Sequence, residues 1–427
     1  MMTRPDGLLG AIIASESLGL TVTMINGSGG CRSRSQIMLH ELIPSYYPED
    51  QACCRSKYFS RQSRLPCTYL NGNDIIFGAE QKISEGLESV TSITGKRAVL
   101  LDTLGASLIC TDLSGLDLGI NGPIHIGKDL SSMELAEGYD LMVRTILENM
   151  DLEGGRDGSV NILGYSIMDL GWESEADELC GLLESMGVKV NCVLGCLPDE
   201  SSVKNIGKAS LNIMIHPEHC MGTARMLQER FGTPYLRPSK GAPIGYPAIR
   251  SFVKEVADAL GLDPTPALDS IQRDADRVHG ILLNYDRMTR GMHSRGFTAE
   301  GDSSTVYPLT DWMIRTFGMV PRRISLYDEE YQPEIEELLS SYGLEGALDG
   351  TDGMIEVMFC NGLDALESRM THSPVGKIGI CIPHGKSVDL IGRTLVGTKG
   401  CRYILDEMFN NMVRFRCGQP TDMMFRE

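Results

Sequence analysis

Short apolar runs bounded by polar residues, with amphipathic stretches between them, restrict this chain more than any other feature. Arg97-Ala98-Val99-Leu100-Leu101-Asp102 is one such run and Val160-Asn161-Ile162-Leu163-Gly164 is another. A run that is apolar on both faces suits a strand of a parallel sheet covered by helices on each side. After the second run, Ser174-Glu175-Ala176-Asp177 reads as a capping box. Leu179, Leu182, Leu183 and Met186 supply the helix's apolar face, and Gly187 ends it. Val188 to Val193 is the next strand. The βαβ unit then repeats, with a strand over 211–215, a helix over 222–231 and a strand entered through Gly232-Thr233-Pro234-Tyr235-Leu236.

The same alternation precedes and follows this stretch. Residues 8–18 read as a helix, 20–26 as a strand, and 76–92 and 131–150 as helices, up to a linker at Gly154-Gly155-Arg156-Asp157-Gly158. A long helix over 266–288 carries Leu268, Ile271, Ala275, Val278, Ile281, Leu282 and Tyr285 at helical spacing, which suits a helix bridging two domains. A third set follows: a strand and turn over 296–302, a helix over 308–317, and strands over 323–326 and near 354–359 and 378–382. The fold class is α/β, with three Rossmann-like domains whose parallel sheets are flanked by helices. Their expected bounds are 1–155, 156–292 and 293–427, and 427 residues are enough for a core in each.

Charge and cysteine usage narrow the partners. A formal net charge of -18 repels phosphate backbones and anionic headgroups, so neither nucleic acid nor membrane is an expected partner. There is no apolar run of transmembrane length and no basic n-region, which gives a cytoplasmic expectation. Thirteen cysteines without an export signal read as reduced thiols, some of them metal-bound. Cys110, Cys180, Cys360 and Cys381 lie in apolar patterns and read as core thiols.

Two cysteines stand apart. Cys31 ends Asn26-Gly27-Ser28-Gly29-Gly30-Cys31, a strand followed by a glycine-rich turn, and Cys67 lies in Leu65-Pro66-Cys67-Thr68-Tyr69-Leu70. The turn lacks the Gly-Lys-Ser/Thr ending of a P-loop and the third glycine of a dinucleotide fingerprint. Its glycines, Gly30 included, let backbone amides approach a cluster or a docking partner. In Cys53-Cys54-Arg55 the adjacent side chains diverge, so at most one of the pair is a ligand. Cys192 and Cys196 lack a second pair at metal-site spacing and read as buried thiols at a strand end. His216-Pro217-Glu218-His219-Cys220 sits at a strand's carboxyl end before a helix, where open α/β sheets place ligands. It reads as a proton or cofactor site, or as a solvent-capped turn. Pro383-His384-Gly385-Lys386-Ser387 follows a strand in the same way. There His384 is placed to donate a proton and Lys386 to neutralise a carboxylate.

The run from Asn26 to Cys31, then Arg64 to Leu70 leading to Asp74-Ile75-Ile76-Phe77-Gly78-Ala79-Glu80-Gln81-Lys82, resembles nitrogenase component 1. It is most similar to the nitrogenase-like proteins of methanogens and anaerobes, related to the catalytic subunit of the coenzyme F430 reductase. Residues 213–236, ending Arg-Phe-Gly-Thr-Pro-Tyr-Leu, resemble the family's middle-domain cofactor segment, and 392–400 its late glycine-rich turn. The resemblance implies three Rossmann-like domains, an iron-sulfur cluster held between two related subunits, and an ATP-driven iron protein that docks over it. Cys31 and Cys67 match the first two cluster cysteines, while Leu104 stands where the third is expected. That departure implies a [4Fe-4S] cluster, completed across a two-fold axis, rather than an eight-iron one; Cys54 or Cys53 is a substitute ligand to consider. The family's cofactor cysteine falls at His216, with Cys220 a helical turn later, and its cofactor histidine falls near Ser387, with His384 upstream. The implied function is the electron-accepting catalytic component of an ATP-dependent two-component reductase, paired with itself or a paralogue, with a second metallocofactor left open. The alternatives are a metallocofactor assembly scaffold or a non-catalytic subunit paired with a paralogue.

Overall fold

The computed structural model describes residues 5–43, 65–109, 113, 122–284, 292–362, 376–383 and 391–418. The first stretch comprises α1 (Gly7–Leu18), β1 (Thr21–Asn26), α2 (Gly29–Leu42), α3 (Gly72–Phe77), α4 (Glu80–Thr94), β2 (Arg97–Asp102), α5 (Leu104–Ile109), β3 (Ile124–Ile126) and α6 (Leu135–Glu148). β1, β2 and β3 pair in that order and run parallel, with Thr21 opposite Arg97 and Asn26 opposite Asp102. The carboxyl ends of β1 and β2 are therefore level, and the turn after β1 starts beside the residues that leave β2.

Apolar periodicity explains α4. Ile83, Leu87 and Val90 recur at helical spacing and pack with Met24 of β1 and Ala98 and Leu100 of β2. The expected single helix over 76–92 is broken at Gly78, whose φ of +93° ends α3 before α4 begins. α1 shows no such face because it is buried almost all round. It lies against α6 through small residues: a Cβ on Gly10 would sit 2.0 Å from the Leu135 carbonyl oxygen, and one on Gly138 2.0 Å from that of Gly7.

The second stretch comprises β4 (Val160–Leu163), α7 (Trp172–Glu184), β5 (Val190–Val193), α8 (Glu200–Lys204), β6 (Leu211–Met214), α9 (Met221–Phe231) and β7 (Tyr235–Leu236), in a sheet of order β5-β4-β6-β7. α7 starts at Trp172 with Gly171 in the cap position, so Ser174 lies inside the first turn and the expected capping box does not form. The Glu175 carboxylate instead accepts the Leu395 N–H at 2.8 Å, a partner far away in sequence.

The third stretch comprises α10 (Tyr246–Leu260), α11 (Thr265–Leu283), β8 (Gly296–Gly301), α12 (Ser303–Phe317), β9 (Val320–Leu326), α13 (Gln332–Ser341), β10 (Ile355–Asn361), β11 (Gly376–Cys381) and α14 (Gly397–Gly418). Its sheet is parallel, of order β11-β10-β8-β9, so the strand order reverses between β8 and β10. α12 begins at Ser303 rather than Pro308, directly off the end of β8. Of the apolar face expected on the long helix, Tyr285 lies outside the described residues, and among the described ones only Ile271 is buried, together with Ala267. Ala275, Val278 and Leu282 line a cavity of about 410 Å³ with Tyr246 and Trp312.

The described residues fall into two compact units, one drawn from 1–168, 191–212 and 219–235, the other from 169–190, 213–218 and 236–427. Among the described residues no helix is long and apolar enough to cross a membrane.

Candidate metal centre and proton site

In the first unit, β1 ends at Asn26 and the chain turns through Gly27 and Ser28 into α2, which puts Cys31 in that helix's first turn. Cys67 is brought to the same turn by main-chain pairing. The Ile25 N–H donates to Pro66 O at 2.8 Å, the Thr68 N–H to Ile25 O at 3.0 Å and the Leu70 N–H to Gly27 O at 2.8 Å. Cys67 Sγ then lies 3.3 Å from Gly27 O and 3.7 Å from Ser28 O, and accepts the Tyr69 N–H at 3.4 Å. Ser28 Oγ donates to Cys31 Sγ at 3.5 Å.

Both thiols are half-buried. Burial pushes the Cys67 thiol up, the Tyr69 N–H opposes it, the neighbouring Cys31 adds to it and Arg32 counters. Two neighbouring thiolates repel one another, and a shared cationic centre offsets that repulsion. Two sulfurs on one turn, one of them already holding a backbone N–H, fit part of the ligand set of an iron-sulfur cluster.

The glycines of the turn are not equivalent. A Cβ on Gly27 would lie 2.6 Å from Thr103 Oγ1, whereas one on Gly30 would meet only Ser28 Oγ at 3.6 Å. The close approach that requires glycine is thus at the strand's end and not beside Cys31. Leu104, in the place of a third cysteine, opens α5 with its side chain exposed. α3 buries none of its residues, and Ile75, Ile76 and Phe77 are 61%, 73% and 82% exposed.

His216 belongs to the second unit. It follows β6, and its Nδ1 lies 2.7 Å from Ser304 Oγ in the first turn of α12. Ser304 donates onward to Glu218 Oε1 at 2.5 Å, and that oxygen is 3.6 Å from His216 Nδ1. Burial alone would lower the imidazole's pKa, but Glu218, with Asp169 and Glu175 behind it, outweighs burial and pushes it up to about 9. His216 is therefore held as a buried imidazolium at neutral pH by the carboxylate beside it. The adjacent Ser303 N–H donates to Asp328 at 2.8 Å, and burial together with Glu218 raises the Asp328 carboxyl.

Cys220 lies in the first unit, buried at the cap position of α9. There Asp140 of α6 accepts the Gly222 N–H at 2.6 Å and the Thr223 N–H at 2.9 Å. The structure thus joins Cys31, Gly30 and Cys67 at one turn and gives His216 a separate set of partners. Cys53, Cys54, His384 and Lys386 lie outside the described residues. Ser304 and Asp140 were not among the residues the sequence pointed to. Each meets its partner across more than 80 residues, and only their place on helices leaving or flanking a sheet edge offered a signal.

Three helix-flanked sheets, with a thiol pair at the carboxyl edge of the first, define an α/β oxidoreductase architecture of the nitrogenase kind. The chain belongs to the nitrogenase component 1 type oxidoreductase family, whose sequence model matches residues 7–413. A subunit of the light-independent protochlorophyllide reductase of Halorhodospira halophila is 27% identical over 316 residues, covering 70% of this chain and 58% of that protein. The same subunit from a Jannaschia species is 30% identical over 259 residues, covering 59% and 47%. The chain thus spans roughly half the length of the curated relatives it matches. Nitrogenase Cp1, solved at pH 6.5, superposes with a TM-score of 0.77 at 15% identity over 100% of this chain and 96% of that one, a likeness of fold.

Proposed function

We propose that this chain is the electron-accepting catalytic component of a nitrogenase-like two-component reductase, with Cys31 and Cys67 as its share of an iron-sulfur cluster. The observation that carries the reading is the convergence of the two thiols on the Gly27-Ser28 turn at the carboxyl edge of the first sheet. When bound, such a cluster supplies one-electron transfer. The chain's own residues fix the two sulfurs, and the Tyr69 N–H stabilises charge on Cys67. Two thiolates are half of a four-cysteine [4Fe-4S] set, so a second copy of the chain or a paralogue completes the site. The exposed apolar side chains of α3, just past Cys67 in sequence, support a partner there. An iron-protein-like ATPase is the electron donor in this reading, and three Rossmann-like domains, one per sheet, are the frame. His216, cationic and held by Glu218, is the proton donor; Cys220, His384 and Lys386 are further candidates for lining a substrate or second-cofactor site. Protochlorophyllide, after which the relatives are named, is the first substrate to test.

Protein purified or reconstituted anaerobically with iron and sulfide is expected to show iron-dependent visible absorbance that Cys31→Ala or Cys67→Ala abolishes. Colourless, iron-free protein after reconstitution overturns the reading.

A further inference from the structure

The turn that holds Cys67 is itself held by a buried polar chain that plays no part in the proposed electron transfer. The Gly27 N–H donates to Thr68 Oγ1 at 3.0 Å, Thr68 Oγ1 donates to Asn26 Oδ1 at 2.9 Å, and Asn26 Nδ2 donates to Asp102 Oδ1 at 2.8 Å. The other Asp102 oxygen meets His125 Nε2 at 3.2 Å, and His125, on β3, is the one partly exposed member. Thr68, Asn26 and Asp102 are all buried. Every donor along the chain points toward the Asp102 carboxylate. The carboxylate, by accepting from Asn26 Nδ2, fixes which end of the Asn26 amide faces it. That choice presents Asn26 Oδ1 to Thr68, sets the direction of the Thr68 hydroxyl and leaves its lone pair for the Gly27 N–H. Gly27 O and Ser28 O, on the two peptides that follow, are the oxygens that face Cys67 Sγ.

We infer that Asp102, acting through Asn26 and Thr68, is a positioning residue for the Cys31/Cys67 centre, a reading that rests on those thiols forming a metal site. The carboxylate's role is to lock the amide and hydroxyl of the chain in one orientation, so that the Gly27-Ser28 turn and the Cys67 segment hold the two sulfurs to one cluster. Asp102 touches neither sulfur; its effect passes through the turn. Outer hydrogen-bonding partners of metal ligands typically contribute 10–100-fold to metal affinity.

The test is an anaerobic titration of the full, reduced chain with iron(II) in the presence of sulfide, read by the thiolate-to-iron charge-transfer band. The wild type is expected to show a band that Cys31→Ala and Cys67→Ala remove. Thr68→Val, which keeps the side chain's shape but cuts the link, is expected to weaken iron binding by roughly 10-fold or more. Asp102→Asn is expected to act in the same direction, and Thr68→Ser to restore near wild-type affinity. Far-ultraviolet circular dichroism confirms that each variant is folded. If Thr68→Val does not fold, Asp102→Asn carries the test from a residue remote from both thiols. Wild-type affinity in folded Thr68→Val or Asp102→Asn overturns the inference and leaves the metal centre standing. A wild type with no band, or one that both cysteine variants retain, overturns the metal centre itself.

Discussion

The turn at Cys31 and Cys67 and the cluster at His216 solve opposite problems. At the turn the two thiols are half-exposed, and the polar chain that shapes the turn is buried behind them. At His216 the reactive group is itself buried, and its carboxylate and hydroxyl partners touch it directly. In the proposed reading a second molecule finishes the thiolate centre, which therefore stays open and has its geometry enforced from behind. At His216 the adjacent carboxylate offsets the cost of keeping a charged imidazole away from water.

The comparison breaks most easily at the strand's end. Gly27→Ala drives a methyl into Thr103 Oγ1 at 2.6 Å, while Gly30→Ala meets only Ser28 Oγ at an ordinary contact distance of 3.6 Å. The first is expected to lower reconstituted iron per chain to near the level of Cys67→Ala, and the second to leave it unchanged. Equal iron in both variants would mean that the turn, as described, does not control the site.

The charge on His216 gives the next effect. Its pKa is raised from 6.5 to about 9 in the folded chain, so its stabilisation is complete below pH 6.5 and is lost as pH rises toward 9. The loss amounts to roughly 3 kcal/mol at most, at about 1.4 kcal/mol per pH unit across that window. Glu218→Gln removes the carboxylate that holds the proton. Urea unfolding at pH 6 and pH 9.5 is expected to show a wild-type advantage that shrinks at the higher pH. An advantage of equal size at both would contradict a cationic His216.

The smallest effect separates surface from scaffold. Phe77 is 82% exposed, and Phe77→Ser is expected to change unfolding stability by no more than about 0.5 kcal/mol. The same substitution is expected to weaken self-association or pairing with a paralogue, measured by sedimentation. A large loss of stability would show that α3 is part of the core rather than a contact surface.

Much of this was legible in the chain, for local reasons. The run Arg97 to Asp102 forms a strand because its apolar residues leave no polar face to solvate, and Val160 to Leu163 does so with Asn161 buried and bonded to Ile206 O and Asn212 Oδ1; both lie where their pattern puts them. Cys31 and Cys67 stood out because each borders a turn that only certain residues permit. Elsewhere the local pattern misled. Ser174 does not cap α7, because Gly171 takes that place and Glu175 is engaged by the distant Leu395 amide. α12 starts before Pro308 because its beginning is set by the end of β8 and by Ser303 bonding to Asp328.

What the sequence determined by itself was the alternation of strands and helices and the identity of the thiols, since both follow from side-chain chemistry over a few residues. Only the tertiary structure decided that Asn26, Thr68 and Asp102 form one buried chain behind Cys67, and that Ser304 and Glu218 share His216. A buried polar group must find its partner wherever the fold brings one, and the register of parallel strands, which joins distant segments at one sheet edge, is not written in any short stretch of chain.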